Sequence, residues 1–445
     1  MNISVLGTGY VGLVTGVCLS EIGHDVTCID IDQDKINKMS VGISPIFEPG
    51  LNELMLTNIN KGRLHFTADH HQGLADKDII YIAVETPQKE DGSADLRFIV
   101  RAAKDIVCHI KKDVIVVIKS TVPVGTNKFI KELILDNLTK DIKVDIISNP
   151  EFLREGSAIN DTFYGDRIVI GSENESAASI LEEVYKPFRV PVFKTDIYSA
   201  EMIKYASNAF LAAKISFINE MAHICDKVGA NIDDVAKGMG QDKRIGPDFL
   251  SAGIGYGGSC FPKDTQALVK MAEDIQYKPI ITKAAIEVNE CQQTLLVEKA
   301  KKYFGNLLGK RLALLGLTYK PNTDDVRGSP AIPISKQLLK ESAEIIAYDP
   351  AGIGKARTIL PSRIQYAGSL DEALLNADLA FLLTEWNEVT GSLLRKACQL
   401  MKEPIIFDGR NCFSLDEVRK LNIEYHSIGR PPVLRVKSHH LGQDC

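Results

Sequence analysis

Ile3-Ser4-Val5-Leu6-Gly7-Thr8-Gly9-Tyr10-Val11-Gly12-Leu13-Val14-Thr15-Gly16-Val17-Cys18-Leu19 reads as a strand, a glycine turn and a helix, in that order. This is the order of a dinucleotide-binding βαβ unit. Gly7 permits the tight turn, Gly9 lets backbone meet a pyrophosphate, and Gly12 lets the helix pack on the strand, while the helix N-terminus stabilises the phosphate charge. Three glycines alone would be weak support. What strengthens them is a second strand, Asp25-Val26-Thr27-Cys28-Ile29, which ends in Asp30. A carboxylate about twenty residues past the turn can bind a ribose diol and would repel a 2′-phosphate, so the expected cofactor is NAD rather than NADP.

The pattern extends outward through Asp78 to Val84, Val114 to Ile118 and Val144 to Ile147, short and mostly apolar runs that suit parallel strands buried on both faces. Ligands gather at the C-terminal ends of such strands, which draws attention to Glu85-Thr86-Pro87, Ser120-Thr121-Val122-Pro123 and Asn149-Pro150-Glu151-Phe152-Leu153-Arg154-Glu155-Gly156. Any one of these loops, taken alone, is also explained by simple turn chemistry. From Tyr198 to Val228 the chain has no proline and no glycine and predicts one long, mostly apolar and therefore buried helix. Lys204 and Asn208 lie four apart on one face of it. They are candidates for oxyanion chemistry, with a lysine that snorkels to water and an asparagine in a satisfied pocket as the alternative. A further helix is expected from Asn231 to Gly238.

A second α/β unit starts near Gly309 to Gly316, with later strands at Glu344 to Tyr348, Leu379 to Leu383 and Ile405 to Phe407. Its turn lacks the triple-glycine fingerprint but offers Lys320 and Arg327 to an anion, which implies a different ligand. The fold class expected is α/β, with two Rossmann-like parallel-sheet domains joined by a long central helix and a helical middle region. The expected boundaries are 1–197 for the NAD-binding domain, 198–300 for the central region, 301–434 for the second Rossmann-like domain, and a disordered tail over 435–445.

Composition narrows the function. Fifty-two basic and 58 acidic residues leave a net charge of −6, without the basic field that nucleic acid or an anionic membrane would require. No apolar run of about twenty residues predicts a membrane span, and the strand-like start leaves no room for a secretory leader. Nine scattered cysteines, never spaced Cys-x-x-Cys, argue for reduced thiols in the cytoplasm. No metal site is expected; the pairs His70-His71 and His439-His440 read as solvated loop.

One cysteine differs from the rest. Gly255-Tyr256-Gly257-Gly258-Ser259-Cys260-Phe261-Pro262-Lys263-Asp264 sets Cys260 between a glycine turn and a helix start marked by Pro262. A thiol there feels the positive end of the helix dipole, with Lys263 nearby, and both favour the thiolate. The alternative is a small buried hydrophobe. Together with an NAD site, the thiol suits oxidation through a covalent sulfur intermediate: a thiolate adds to an aldehyde, hydride leaves, and the thioester is hydrolysed to an acid. Lys204 and Asn208 could stabilise the oxyanion, and Glu155 or Asp264 could activate the water.

These residues closely resemble the UDP-glucose/GDP-mannose dehydrogenase family from Gly7 to about Pro431. The motifs that carry the resemblance are Gly7 to Gly12, Ser120-Thr121-Val122-Pro123-Val124-Gly125-Thr126, Asn149 to Gly156, Gly255 to Asp264, Gly316-Leu317-Thr318-Tyr319-Lys320 and Asp408-Gly409-Arg410-Asn411. Within the family, Arg154-Glu155-Gly156 and the cysteine segment look more like the enzymes that act on UDP-glucose than those that act on GDP-mannose. The resemblance implies oxidation of the C6 alcohol of UDP-glucose to UDP-glucuronate with two NAD and one water. It gives Cys260 the thioester, Lys204 and Asn208 the oxyanion, and Glu155, Thr121 and Asp264 the water. It assigns NAD to Gly7, Gly9, Val11, Gly12, Asp30, Lys35, Thr86, Thr121, Glu155, Lys263 and Arg327. The sugar nucleotide falls to Phe152, Leu153, Arg154, Glu155, Lys204, Asn208, Phe249, Leu250, Ser251, Ala252, Gly253, Gly257 and Lys320. Arg244 resembles an arginine donated across a subunit interface, which implies a homodimer or larger assembly with the long helix at its centre.

Two positions depart from the family pattern: Glu85 stands where glycine is expected, and Gly328 where glutamate is expected. The competing readings are the same chemistry on GDP-mannose or a UDP-N-acetylhexosamine, and a catalytically silent nucleotide-sugar-binding regulator. A hydroxyacid or phosphogluconate-type dehydrogenase would need neither Cys260 nor a second nucleotide-binding unit.

Overall fold

The computed structural model describes residues 1–139 and 141–435. The His439-His440 pair and residues 436–445 of the expected tail lie outside the described residues. The chain forms two compact units, one from Met1–Asn208 with Gln266–Lys278 and the other from Ala209–Thr265 with Pro279 onward.

The first unit is built on eight strands: β1 (Asn2–Leu6), β2 (Asp25–Ile29), β3 (Leu64–Thr67), β4 (Ile79–Ile82), β5 (Val114–Ile118), β6 (Val144–Ser148), β7 (Ile168–Ser172) and β8 (Val192–Thr195). They lie in the order β3-β2-β1-β4-β5-β6-β7-β8. Every described pairing is parallel except β6 with β7. Val5 sits between Cys28 and Tyr81, so β1 is central. β4 and β5 are buried at every position, because helices cover both faces. Strand order reverses between β1 and β4, and the crevice beyond the C-terminal ends of strands at such a reversal is where ligands bind. β3, β7 and β8 have no counterpart in the sequence reading. β8 is a half-exposed edge strand, so it lacks the continuous apolar run that marks its neighbours.

The second unit holds six parallel strands in the order β11-β10-β9-β12-β13-β14. They are β9 (Arg311–Leu315), β10 (Glu344–Tyr348), β11 (Gln365–Tyr366), β12 (Leu379–Leu382), β13 (Ile405–Asp408) and β14 (Glu424–His426). Leu312, Leu314, Phe381 and Phe407 fill one face with Ile334 and Leu338, and Ala313, Leu315, Leu382 and Ile406 fill the other with Leu393 and Ala397. Two parallel-sheet units and a long central helix match the expected fold class.

The long helix runs from Ile197 to Val228, and α-helix follows over Ile232–Gly240, Phe261–Asp274 and Ile280–Gln292. Its expected burial holds for one side only. Ala200, Tyr205, Ala212, Ile218 and Ala222 are buried, whereas Phe210, Phe217 and Ile224 are 68%, 47% and 49% exposed. These three recur every seventh residue and so form one stripe. His70-His71 also departs from expectation: the pair opens a short helix, His70–Leu74, capped by Asp69, and His70 Nδ1 lies 3.1 Å from Asp105. Among the described residues no helix is long and apolar enough to cross a membrane, and no cluster of His, Cys, Asp and Glu could hold a metal.

Candidate active site

In the first unit the glycine turn is shaped by what it cannot contain. Gly7 has φ +94°, and a Cβ there would lie 2.7 Å from the Ala83 carbonyl oxygen; one on Gly12 would lie 2.0 Å from the Gly7 carbonyl oxygen. Gly9 meets nothing within 4 Å. Strand and helix therefore close tightly on either side of an open backbone face, as a pyrophosphate requires. The helix that follows, Tyr10–Glu21, has no side-chain cap and no acidic residue in its first turn, so its first N–H groups are available to an anion.

Asp30, just past β2, accepts bonds from the Thr8 hydroxyl, from Thr8 N at 3.1 Å and from Asp32 N at 3.0 Å. Lys35 Nζ stands 3.8 Å away. Burial alone would raise this carboxyl's pKa, but these donors and the Lys35 charge outweigh burial and hold it below the ordinary value. An ionised acceptor at this position suits a ribose diol. Thr86 donates to the Thr121 carbonyl oxygen at 2.9 Å and joins the loops after β4 and β5.

The loop after β6 carries a buried ion pair. Lys204 Nζ lies 2.9 Å from Glu151 Oε1, with side chains 4% and 5% exposed. Leu153 N donates to the other carboxylate oxygen at 2.6 Å. Burial would push Glu151 up, but Lys204, the Leu153 N–H and the Lys119 charge hold it below the ordinary carboxylate value. Lys119 donates to Asn149 Oδ1 at 3.1 Å, which also accepts from the Tyr185 hydroxyl at 2.6 Å. Burial lowers the Lys119 pKa to about 8. The Phe152 ring lies under Arg167 at 3.9 Å and within 5.4 Å of Lys204 Nζ. Arg154 forks onto Asp161, at 3.0 Å from Nε and 2.6 Å from Nη2. Asn208 is buried one turn beyond Lys204.

In the second unit the cysteine turn is equally constrained. Gly255, with φ +88°, faces Asn289, whose amide brackets Tyr256 by accepting from its N–H at 2.8 Å and donating to its carbonyl at 3.1 Å. A Cβ on Gly257 would lie 2.1 Å from the Gly328 carbonyl oxygen, and one on Gly258 2.8 Å from the Tyr319 ring. Cys260 immediately precedes the helix Phe261–Asp274, its carbonyl accepting from Asp264 N at 2.8 Å and its Sγ lying 3.7 Å from Ser259 Oγ. Lys263 Nζ donates to the buried Asp264 at 2.6 Å. Gly253 is held from both sides: Asn219 accepts from its N–H at 2.9 Å and Gln292 donates to its carbonyl at 2.5 Å. Arg410 reaches the carbonyls of Gly255, Tyr319 and Leu383. Phe249 adopts φ +63° and sets its ring 6.3 Å from Phe261; Leu250 and Ala252 are buried and Ser251 is exposed. Lys320 sits over Tyr319 at 5.2 Å, Arg327 forks onto Asp325, and Arg244, 88% exposed, forks onto Asp242.

Thus Gly7, Gly9, Val11, Gly12, Asp30, Lys35, Thr86, Thr121, Phe152 to Glu155, Lys204 and Asn208 belong to the first unit, and the other candidates to the second. The sequence reading overlooked Glu151 as the partner of Lys204, and Asn219, Asn289, Gln292 and Arg410 as supports of the cysteine turn. Glu151 lies within a quoted loop motif and Arg410 within another, but neither motif shows which side chain turns inward. The three amides carried no signal.

Residues 1–189 match the NAD binding domain of the UDP-glucose/GDP-mannose dehydrogenase family, residues 198–291 its central domain, and residues 313–415 its UDP binding domain. The chain is 57% identical over 434 residues to the UDP-glucose 6-dehydrogenase YwqF of Bacillus subtilis, covering 98% of this chain and 99% of that one. It is 45% identical to the UDP-glucose 6-dehydrogenase of Rhizobium meliloti, covering 97% of this chain and 100% of that one. Among solved structures, a UDP-glucose dehydrogenase from Pyrobaculum islandicum superposes with a TM-score of 0.90 at 37% identity, covering 97% of this chain and 98% of that one. A UDP-D-ManNAc dehydrogenase from Pyrococcus horikoshii gives 0.85 at 27% identity, covering 97% and 99%.

Proposed function

The chain belongs to the UDP-glucose/GDP-mannose dehydrogenase family, and we propose that it oxidises the C6 alcohol of UDP-glucose to UDP-glucuronate. The observation that carries the chemistry is Cys260 at the head of a helix, in a turn whose glycines leave no room for side chains. The choice of sugar nucleotide rests on the relatives named for UDP-glucose, which align over nearly the whole chain.

Gly7, Gly9, Val11, Gly12, Asp30, Lys35, Thr86, Thr121, Glu155, Lys263 and Arg327 hold NAD, and residues 1–197 are its domain. Bound NAD supplies the hydride acceptor for both oxidations. Lys204, fixed by an ionised Glu151, and Asn208 stabilise the charge on the substrate oxygen. Cys260 adds as thiolate to the aldehyde carbon, and the resulting thiohemiacetal is oxidised to a thioester. Glu155, Asp264 and Thr121 position the water that cleaves the C–S bond and returns the thiol. The balance is one CH₂OH group and one water converted to a carboxylate, with two hydrides transferred and three protons released. Phe152 to Glu155, Phe249 to Gly253, Gly257 and Lys320 bind the sugar nucleotide, and residues 301–434 form its second domain.

The protein works in the cytoplasm as a homodimer or larger assembly. The stripe Phe210, Phe217 and Ile224 supports self-association through the long helix, and the exposed Arg244 suits donation to a partner's site. A substrate panel tests the specificity. UDP-glucose is expected to give the highest kcat/KM by at least tenfold; a preference for GDP-mannose or a UDP-N-acetylhexosamine would replace this substrate assignment.

A further inference from the structure

Glu48 takes no part in the chemistry described above, yet it is a buried carboxylate at the meeting point of two functional loops. It lies between the second and third helices of the first unit, Gln33–Ser40 and Leu51–Asn60. Glu48 Oε2 accepts from Gly156 N at 2.7 Å and Oε1 from Ile159 N at 3.4 Å. The Tyr10 hydroxyl also bonds to Oε2, and Gly156 N lies 2.6 Å from that hydroxyl. The Gly156 N–H is thus shared between a residue of the cofactor turn and a buried carboxylate. Gly156 has φ +81°, so the loop reverses direction at this point, immediately after Glu155. Tyr10 is the residue between Gly9 and Val11, where the fingerprint itself demands no particular side chain.

We infer that Tyr10 and Glu48 are positioning residues that fasten the loop 149–156 to the cofactor turn, so that each of the two ligand sites senses occupation of the other. The proposal rests on the assignment of NAD to Gly7–Gly12 and of the sugar nucleotide to Phe152–Glu155. Its physical basis is a three-membered hydrogen-bonded cluster around the buried Glu48 with a part-buried Tyr10 hydroxyl, in which removal of one member leaves a polar partner unmatched. A dinucleotide that settles the backbone around Gly9 fixes Tyr10, and Tyr10 fixes Gly156. By linkage the effect is reciprocal.

The test uses the product pair on the purified full-length enzyme, which avoids turnover. UDP-glucuronate affinity is measured by titration calorimetry with and without saturating NADH, for wild type, Tyr10→Phe and Glu48→Gln. In the wild type NADH is expected to tighten UDP-glucuronate about fivefold or more. In both variants that ratio falls to about one, while each ligand still binds alone. Thermal unfolding is recorded beside it, because a merely structural role would lower Tm and leave the ratio intact. A wild-type ratio in Tyr10→Phe, which removes one oxygen and keeps the ring, overturns the proposal, as does a wild-type enzyme without coupling. Failure of UDP-glucuronate to bind wild type at all would instead refute the substrate assignment on which the proposal rests.

Discussion

At the residue scale the consequential feature is Lys204 paired with Glu151 inside the first unit. Removing one partner of a buried pair leaves an uncompensated charge, so Lys204→Ala is expected to lose about 3–5 kcal/mol of stability in addition to turnover. Denaturant unfolding at pH 7 checks this; a loss below about 1 kcal/mol would show that the pair is dispensable to the fold. The pH dependence has a definite sign. The folded pKa of Glu151 is depressed, so its contribution is present above the unfolded value of about 4.3 and is lost as pH falls through the folded value. Wild-type stability is therefore expected to fall on acidification below about pH 4.3, and the Lys204→Ala variant to lack this part of the decline. Parallel acid profiles would contradict the assignment. Much at this scale was legible in sequence, because a lysine four residues before an asparagine on an apolar helix demands a reason. Its partner was not, since nothing in Asn149-Pro150-Glu151 tells which carboxylate of the loop turns inward. The reason for glycine at position 328 was not legible in sequence either. Its φ is +59°, and a Cβ there would lie 3.1 Å from the Gly258 carbonyl oxygen, so glycine suits this backbone where the family pattern has glutamate.

At the element scale, the long helix also anchors the loop that carries Thr121. Glu201, one turn before Lys204, accepts from Gly125 N at 2.6 Å, Asn127 N at 2.8 Å and Asn127 Nδ2 at 2.7 Å. Its carboxylate thus serves as a distant cap for the helix Thr126–Asn137, which has no side-chain cap of its own. Glu201→Ala leaves these donors without their acceptor and is expected to cost at least about 2 kcal/mol. It is also expected to raise the KM for NAD severalfold through Thr121, with a smaller effect on UDP-glucose. Unchanged NAD kinetics would mean that the cap does not reach the cofactor loop. The strands β1, β2, β4, β5 and β6 were readable because burial on both faces writes them as continuous apolar runs. β8 lies at the far edge of the sheet, half exposed, and there that signature fades.

At the scale of the whole molecule, the two parallel sheets followed from two strand-turn-helix signatures, but the exposed side of the long helix did not. An apolar helix predicts burial without saying by what, and only the structure separates Ala212 and Ile218 on the covered side from Phe210, Phe217 and Ile224 on the other. On the proposed assembly, Phe217→Glu places a charge in that stripe and is expected to lower the mass read by light scattering to that of one chain, with little change in circular dichroism. A dimer that survives the substitution would move the interface elsewhere. The central claim is that one thiol, Cys260, makes the overall change a four-electron oxidation. Its most direct test is the NADH formed per UDP-glucose consumed, in wild type and Cys260→Ser. Two equivalents are expected for wild type and, for the variant, loss of complete turnover or arrest at a covalent intermediate; sustained formation of two equivalents by Cys260→Ser would contradict the role of the thiol.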